Sequence, residues 1–201
     1  MKSNLLSLNS DKTHFIQFNN ASKCTSVTEI KYEGEQINIA NETKFRGLYI
    51  NNNLSWKTHI ESIKNKLSSA YYVMRLVKPN VTANILKVIY CSYFHSIMTY
   101  GLIFWGNSSD SSKIFRLQKK IISIMISCRS RASCRKLFHN LEILTLPSQY
   151  ILSLLLFMIR NKNQFQINSE IHQINTRQHA NLHQPSVNAT KNQKGVQCIG
   201  V

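Results

Sequence analysis

The sequence predicts an α+β protein, in which a small antiparallel N-terminal sheet precedes a mainly α-helical bundle and a poorly ordered tail. Residues 1–53 contain short β-branched and aromatic runs separated by turn residues, which is typical of strands. Residues 54–160 repeat apolar side chains at helical spacing. In residues 161–201 the composition shifts to Asn, Gln, His and Ser, which favours a flexible segment. The sequence therefore predicts three segments, divided after residues 53 and 160.

Three runs in the first segment predict its strands. Residues 13–18 combine a threonine, an isoleucine and two phenylalanines. Residues 29–39 alternate imperfectly around Glu33-Gly34-Glu35, which has the chemistry of a hairpin turn. Residues 45–50 supply another strand. A sheet of this size needs a covering element to be stable.

A long amphipathic helix is predicted to begin at Ser55, whose hydroxyl can accept a hydrogen bond from a first-turn N–H, and to end before Pro79. Its apolar residues recur in alternating steps of four and three, which indicates one buried face. They are Trp56, Ile60, Ile63, Leu67, Ala70, Met74 and Val77. A second file beside that face consists of Lys57, Lys64, Tyr71 and Lys78. This file is either a solvated face or the wall of a nucleic-acid groove, with Tyr71 available for stacking on bases.

The stretch from Val81 to Trp105 is apolar on most faces and predicts a central, buried helix. Its part from Val88 to Trp105 has no formal charge other than a possible one on His95, and its length raises the alternative of a membrane span. Polar and small residues interrupt it, namely Ser92, His95, Ser96, Thr99 and Gly101. We therefore predict a buried helix and no membrane span.

A strongly basic helix is predicted to follow the turn residues 106–110 and to run to about Cys128, capped by Asp110, Ser111 or Ser112. Eight cations lie on or shortly after it, with no carboxylate between them along the chain. They are Lys113, Arg116, Lys119, Lys120, Arg129, Arg131, Arg135 and Lys136. Uncompensated charge repels itself unless a polyanion binds, so phosphate contact is favoured over a merely solvated face.

The last predicted helix begins at Pro147, is capped by Thr145 and has an apolar body from Tyr150 to Ile159. That body is shorter than the roughly 20 residues that cross a bilayer. The histidines and the cysteine of the following segment suggest a zinc site formed by His172, His179, His183 and Cys198. Their loose spacing disfavours that hypothesis, so no metal site is predicted.

Composition narrows the class of partner and the compartment. Lys and Arg number 25 against nine Asp and Glu, a net charge of +16, which predicts affinity for nucleic acid or for an acidic membrane surface. The five cysteines are scattered and lack a CxxC pair, which favours reduced thiols. No secretory signal is visible at the N-terminus, so we expect an intracellular protein, nuclear or cytoplasmic.

Several short motifs occur in the order found in one known family. Phe45-Arg46-Gly47-Leu48, Leu54-Ser55-Trp56 and His59-Ile60 resemble the "FLG-x-x-ID…LSW-x-x-HI" signature of non-LTR retrotransposon reverse transcriptases, the jockey-like elements in particular. Other segments resemble further motifs of that family. Asn9 to Thr13 resembles "N-x-x-KT", and Tyr100 to Gly106 resembles "YG-x-x-FWG". Gln118-Lys119-Lys120 matches "QK", and Cys134 to Phe138 with Ile143 to Pro147 matches "C-x-x-LF…ILTLP". The resemblance thus covers nearly the whole chain.

The resemblance implies the part of an RNA-directed DNA polymerase that follows its YxDD catalytic box. Residues 1–53 would be distal palm strands, and residues 54–160 a thumb with its following helices. The implied partner is an RNA–DNA or RNA template-primer, bound through basic helices without sequence readout. Mg²⁺ is expected for the full-length family enzyme. Asp11 and Asp110 are the only aspartates and lie far apart in sequence, so this chain alone is predicted to be inactive and to bind no cofactor.

The resemblance also implies roles for single residues. Lys12 lies where the family has a lysine thought to protonate the pyrophosphate leaving group. In the absence of the upstream palm, we prefer the interpretation that Lys12 is an ordinary surface lysine. Phe45 and Gly47 align with the primer grip, where a tight backbone bend meets the primer terminus. Gly47 fits an ordinary glycine at a strand bulge equally well.

Departures from the family pattern leave a second function open. Arg46 replaces the usual aliphatic residue, and Asn51 stands where the family commonly has Asp. The alternative is a non-functional transposon relic or a helical interaction module without a nucleic-acid role, whose partner could be the missing palm and fingers half. A membrane-surface role ranks third.

Overall fold

The structure is a computed structural model that describes residues 8–9, 12–18, 29–127, 134–172 and 177–187. As predicted, the chain is α+β, with small sheets at the N-terminus and helices after them. It divides into two compact units, Met1–His59 and Ile60–Val201. In the part of the chain that the structure describes, the named strands belong to the first unit, and the second unit contains helices and one isolated β-bridge.

The first unit contains two small sheets where the sequence predicts one. In the three-stranded sheet, β3 (Glu35–Ile39) pairs in parallel with β1 (His14–Phe15) and antiparallel with β2 (Ile30–Tyr32). The turn at Glu33-Gly34 confirms the predicted hairpin. The parallel pairing of β1 with β3 differs from the antiparallel sheet that the sequence predicts. A sequence pattern identifies strands, but it does not identify the strands with which they pair.

The second sheet is a hairpin of β4 (Glu42–Phe45) and β5 (Leu48–Asn51). The run predicted as a single strand is therefore folded back on itself. Arg46 and Gly47 form the two-residue turn, with φ of 46° and 83°. Two successive positive φ values are typical of the tight turn that matches the twist of a hairpin. Gly47 is thus a turn residue and not a bulge in a continuous strand.

Helix α1 spans Lys57–Val77, so it begins one residue later than an N-cap at Ser55 predicts. The Ser55 amide donates to Oδ1 of Asn51 at 2.8 Å, and Nδ2 of Asn51 donates to the Ser55 hydroxyl at the same distance. This local ring holds the serine in the turn that precedes the helix. The apolar stripe is confirmed, with its central members buried: Ile60, Ile63, Leu67, Ala70 and Met74. Pro79 lies in a 3₁₀ turn, Lys78–Asn80, that ends the helix.

The predicted single helix from Val81 to Trp105 is broken near its end. It comprises α2 (Ala83–Ile89), a π-helical segment (Tyr90–His95), α3 (Ser96–Thr99) and α4 (Leu102–Trp105). Gly101 separates the last two elements with a left-handed φ of 62°, which glycine adopts at little cost. Gly101, one of the residues that disfavour a membrane span, therefore lies at the turn between α3 and α4.

The π segment follows from the spacing of the buried residues. Leu86, Tyr90, Phe94 and Met98 are 0–2% exposed and lie four residues apart. In a regular α-helix each step of four advances the side chain by roughly 40° past a full turn, so the stripe would wind away from the core. A wider π turn offsets that drift. Only this face is buried, since Val88 on another face is 66% exposed.

The π segment ends at His95, and the Nδ1 atom of this side chain is buried without a hydrogen-bond partner among the described residues. Burial lowers the pKa of His95 from its ordinary value. The unfolded chain therefore binds more protons than the folded chain as the pH falls below about 6.5, and stability decreases with acidification.

We expect the free energy of unfolding in urea to fall between neutral and mildly acidic pH, and His95→Gln to weaken this dependence. The control is His139→Gln, which alters an exposed histidine. A dependence that is the same in His95→Gln and in the wild-type chain would contradict the assignment.

Three further helices complete the bundle: α5 (Ser111–Met125), α6 (Cys134–Asn140) and α7 (Leu146–Arg160). Thr145 caps α7 as predicted, its hydroxyl accepting from the amide of Ser148 at 3.3 Å. Asp110 occupies the N-cap position of α5, but its side chain makes no capping hydrogen bond. Within the segment predicted to be poorly ordered, a short helix α8 (Asn168–His172) forms, and Ile167 bridges Leu182.

Candidate nucleic-acid interface

Helix α5 separates its charged and apolar residues onto opposite sides. Its buried residues are Ile114, Gln118, Ile121, Ile122 and Met125. Arg116 and Lys120 are exposed, one turn apart, on the opposite side. The apolar side packs against the core. The cations recur on the opposite side of the helix, and that side therefore faces solvent.

An aromatic pair joins α5 to α6, a helix that carries further cations. The rings of Phe115 and Phe138 lie 6.3 Å apart between centroids. Nζ of Lys119 lies 4.3 Å from the centroid of the Phe115 ring, within the range of a cation–π interaction. Arg135 and Lys136 are exposed on α6. We define the α5–α6 basic face as Arg116, Lys119, Lys120, Arg135 and Lys136.

Lys113 is not included in this face, because its charge is compensated by two carboxylates. Its Nζ lies 2.7 Å from Oε1 of Glu61 and 2.9 Å from Oδ1 of Asp110. Lys64, from the second file of α1, contacts the other oxygen of Glu61 at 3.0 Å. The hydrogen bond from Lys113, followed by that from Lys64, lowers the pKa of Glu61, and Glu61 and Asp110 raise the pKa of Lys113.

These ion pairs correct the prediction that nothing neutralises the basic block. The prediction counted carboxylates along the chain between the cations, whereas Glu61 reaches Lys113 from another helix. Lys64 and Lys113 are consequently less suited to phosphate contact than the exposed members of the α5–α6 basic face.

The remaining predicted residues of α1 differ in exposure. Lys57 is exposed in the first turn. Tyr71, predicted to stack on bases, is half-buried, whereas its neighbour Tyr72 is 62% exposed. The shift follows from helix geometry, because Tyr71 is adjacent on the helix surface to the buried residues Leu67 and Met74. Tyr72 is therefore the more exposed of the two tyrosines, and the stacking role of Tyr71 stays a prediction.

In the first unit, the predicted primer-grip residues lie at the tip of the β4–β5 hairpin. Phe45 is 58% exposed, and the guanidinium carbon of Arg46 lies 5.7 Å from the centroid of its ring. Gly47 completes the turn. The tight backbone bend implied by the resemblance is therefore present, with an exposed aromatic residue and a cation at its tip.

The remaining predicted site residues are Lys12, Arg129 and Arg131. Lys12 is exposed, and its backbone amide donates to Oδ1 of Asn9 at 3.0 Å. Arg129 and Arg131 lie outside the described residues, as does Asp11. Asp110 pairs with Lys113. Among the described residues, no group of three or more His, Cys, Asp or Glu side chains could hold a metal ion.

The structure reveals one key residue that the sequence interpretation missed. Gln118 is fully buried, and its side-chain amide makes three hydrogen bonds. Its Nε2 donates to the Tyr90 hydroxyl at 3.0 Å and to the Leu144 carbonyl at 2.9 Å, and its Oε1 accepts from the Leu146 amide at 2.8 Å. The available signal was a glutamine in the middle of the apolar stripe of α5. Gln118 therefore fixes the helix that carries the basic face.

No helix in the described part of the chain combines the length and hydropathy required to cross a membrane. Comparisons with models of protein families, with curated proteins and with solved structures yield no match to this chain.

Proposed function

We propose that this chain is the part of a jockey-like non-LTR reverse transcriptase that follows the catalytic box, and that it binds an RNA–DNA template-primer through phosphate contacts. The observation that carries the proposal is the α5–α6 basic face. Four of its cations are exposed, and none of its members forms an ion pair with another described residue. The motif resemblance supplies the family and the class of ligand.

Electrostatics supports a polyanionic ligand for this face. Like charges on adjacent helices repel one another, and a phosphate backbone relieves that repulsion while releasing counterions. Lys119 already lies on an aromatic ring, so its ammonium group is partly positioned before binding. Contacts to phosphates fix the position of a nucleic acid but carry no sequence information, so binding through them would be independent of sequence.

Binding to a short fluorescent RNA–DNA hybrid tests the proposal. Each neutralised phosphate contributes a slope of about 0.9 in log affinity against log salt, so four contacts predict a loss of about 100-fold between roughly 50 and 200 mM salt. The variant Arg116→Gln, Lys120→Gln, Arg135→Gln, Lys136→Gln is expected to reduce the slope by 3 to 4 units, at about 0.9 per phosphate.

The matched control removes the same charge from other exposed positions, namely Lys66, Arg75, Arg160 and Lys162. It is expected to change the slope much less, because those cations lie outside the α5–α6 basic face. Equal losses in the two variants would show attraction to net charge alone. Affinity that stays constant across the salt range would reject phosphate binding.

The exposed apolar surface of α7 favours the alternative of a helical interaction module. Five large aliphatic residues of this helix are 39–72% exposed: Ile151, Leu152, Leu155, Leu156 and Ile159. They recur at spacings of three and four, which forms one continuous stripe. Self-association in sedimentation, together with no affinity for the hybrid duplex, would favour this alternative over the proposed function.

A further inference from the structure

Backbone hydrogen bonds hold two short stretches of the chain together after α7. Ile167 and Leu182 form an antiparallel bridge. The amide of His183 donates to the carbonyl of Gln166 at 2.8 Å, next to that bridge. These backbone hydrogen bonds therefore hold α8 close to the stretch around His183.

Two histidines meet where these stretches join. The ring centroids of His172 and His183 lie 5.1 Å apart, with their planes inclined by 59°. Both rings line an open cleft of about 620 Å³, together with Asn168, Gln178 and Asn181. The lining is mostly polar, so the cleft admits water and ions.

The hydrogen bonds of Asn168 determine which nitrogen of His183 carries the proton. Nδ2 of Asn168 donates to the carbonyl of Gln178 at 3.0 Å, which identifies the amide nitrogen. The other amide atom, Oδ1, can only accept, and it lies 3.3 Å from Nδ1 of His183. Nδ1 of His183 is therefore the donor, and Nε2 keeps its lone pair.

We propose that His172 and His183 form a two-histidine chelate for a divalent first-row transition-metal ion, of which Ni²⁺ and Zn²⁺ are the probes of choice. Neutral imidazole is a preferred ligand of these ions. With metal–nitrogen distances of about 2.0–2.1 Å and a tetrahedral angle, two imidazole centroids lie roughly 5 Å apart, which matches the observed separation. Asn168 acts as a positioning residue, because an oxygen that holds the second imidazole nitrogen orients a histidine ligand.

The site differs from the zinc hypothesis that the sequence suggested. The structure brings together two of its four residues, and Cys198 lies outside the described residues. Two protein ligands leave the remaining coordination positions to water or to an oxygen or nitrogen ligand from a partner. The chelate does not depend on the nucleic-acid proposal, since it involves none of the α5–α6 basic face.

Calorimetric titration of the full chain with Ni²⁺ and Zn²⁺, under reducing conditions, tests the chelate. We expect a binding event that His172→Ala and His183→Ala each weaken by more than about 10-fold, and that Asn168→Ala weakens by about 10-fold. His139→Ala removes an exposed histidine of α6 and is expected to leave this event unchanged. Far-ultraviolet circular dichroism checks that each variant retains its helix content.

Two results would overturn the proposal. One is equal affinity in His183→Ala and in the wild-type chain, which would place the metal on other residues, cysteines included. The other is an equal loss in His139→Ala, which would indicate non-specific histidine binding. A loss confined to the two histidines, with full affinity in Asn168→Ala, would retain the chelate but remove the positioning role.

Discussion

Replacing Gln118 with leucine is expected to lower the free energy of unfolding by about 3 kcal/mol, because three polar groups, two of them in buried residues, lose their partner at a cost of about 1–3 kcal/mol for each buried group, partly offset by the apolar gain. The three groups are the Tyr90 hydroxyl, the Leu144 carbonyl and the Leu146 amide. In a chain of this length the loss corresponds to a decrease in Tm of roughly 6–12 °C. Thermal and urea unfolding followed by circular dichroism measure it.

Glutamine is the only residue whose side chain satisfies all three groups in this geometry. The Leu146 amide can only donate and the Leu144 carbonyl can only accept, so the side chain must present an oxygen to one and an N–H to the other. Gln118→Glu is nearly isosteric but replaces the donor with an oxygen. We expect it to destabilise the protein at neutral pH at least as much as Gln118→Leu, because it buries a charge.

A double-mutant cycle with Tyr90→Phe isolates one of these bonds. Burial raises the pKa of Tyr90 to about 12, so the phenol stays protonated at neutral pH and its oxygen accepts from Gln118. Tyr90→Phe alone is expected to cost about 1 kcal/mol. The double variant should cost less than the sum of the two, since the hydroxyl that Gln118→Leu leaves without a partner is then absent.

Two outcomes separate a network from simple volume effects. Gln164→Leu, at an exposed position, is expected to change stability by less than about 0.5 kcal/mol. If Gln118→Leu had an equally small effect, or if its cost added fully to that of Tyr90→Phe, the hydrogen bonds would not be what holds these helices.

The fold class and the helix-forming segments could be predicted from the sequence because they depend on local periodicity. The stripe from Ile60 to Met74 and the cap at Thr145 are examples, since each involves residues within a few turns of one another. The turn at Arg46-Gly47 was implied by the family resemblance but not by the local sequence pattern. An arginine gives no signal for a positive φ, and the surrounding residues continue a strand pattern on both sides.

The candidate site was predictable only in its composition. The cations of α5 and α6 follow from the sequence, and their exposure follows from the helix period. The sequence does not show which of these cations lacks an ion-pair partner, because Glu61 reaches Lys113 from a position 52 residues away in sequence. The proximity of His172 and His183 was equally inaccessible, since it arises from a bridge between two stretches that share no periodic pattern.

Gly106→Ala is expected to lower the free energy of unfolding by about 2 kcal/mol, although alanine normally favours helical backbone over glycine by up to about 1 kcal/mol. The backbone of Gly106 has φ of −60°, so alanine meets no conformational strain there. The cost arises from contact. A Cβ atom would overlap Cδ2 of Tyr150 and would lie 2.7 Å from the carbonyl oxygen of Leu102.

Neither neighbour of that Cβ can move easily. Tyr150 is 8% exposed and belongs to α7, and the Leu102 carbonyl already accepts the Gly106 amide at 2.8 Å. Since close-packed interiors transmit such a displacement, we expect α4 and α7 to separate slightly instead of the ring rotating away.

The variant Tyr150→Leu provides the matched test of this explanation. Alone it is expected to destabilise the protein by leaving a cavity. Combined with Gly106→Ala it should cost less than the sum, because the ring that the new methyl group meets is gone, while the contact with the Leu102 carbonyl prevents full recovery. Chemical unfolding of the four chains measures the coupling. A Gly106→Ala chain as stable as the wild type would mean that helix propensity outweighs the contact, and that α4 and α7 are less closely packed at Gly106 than the structure indicates.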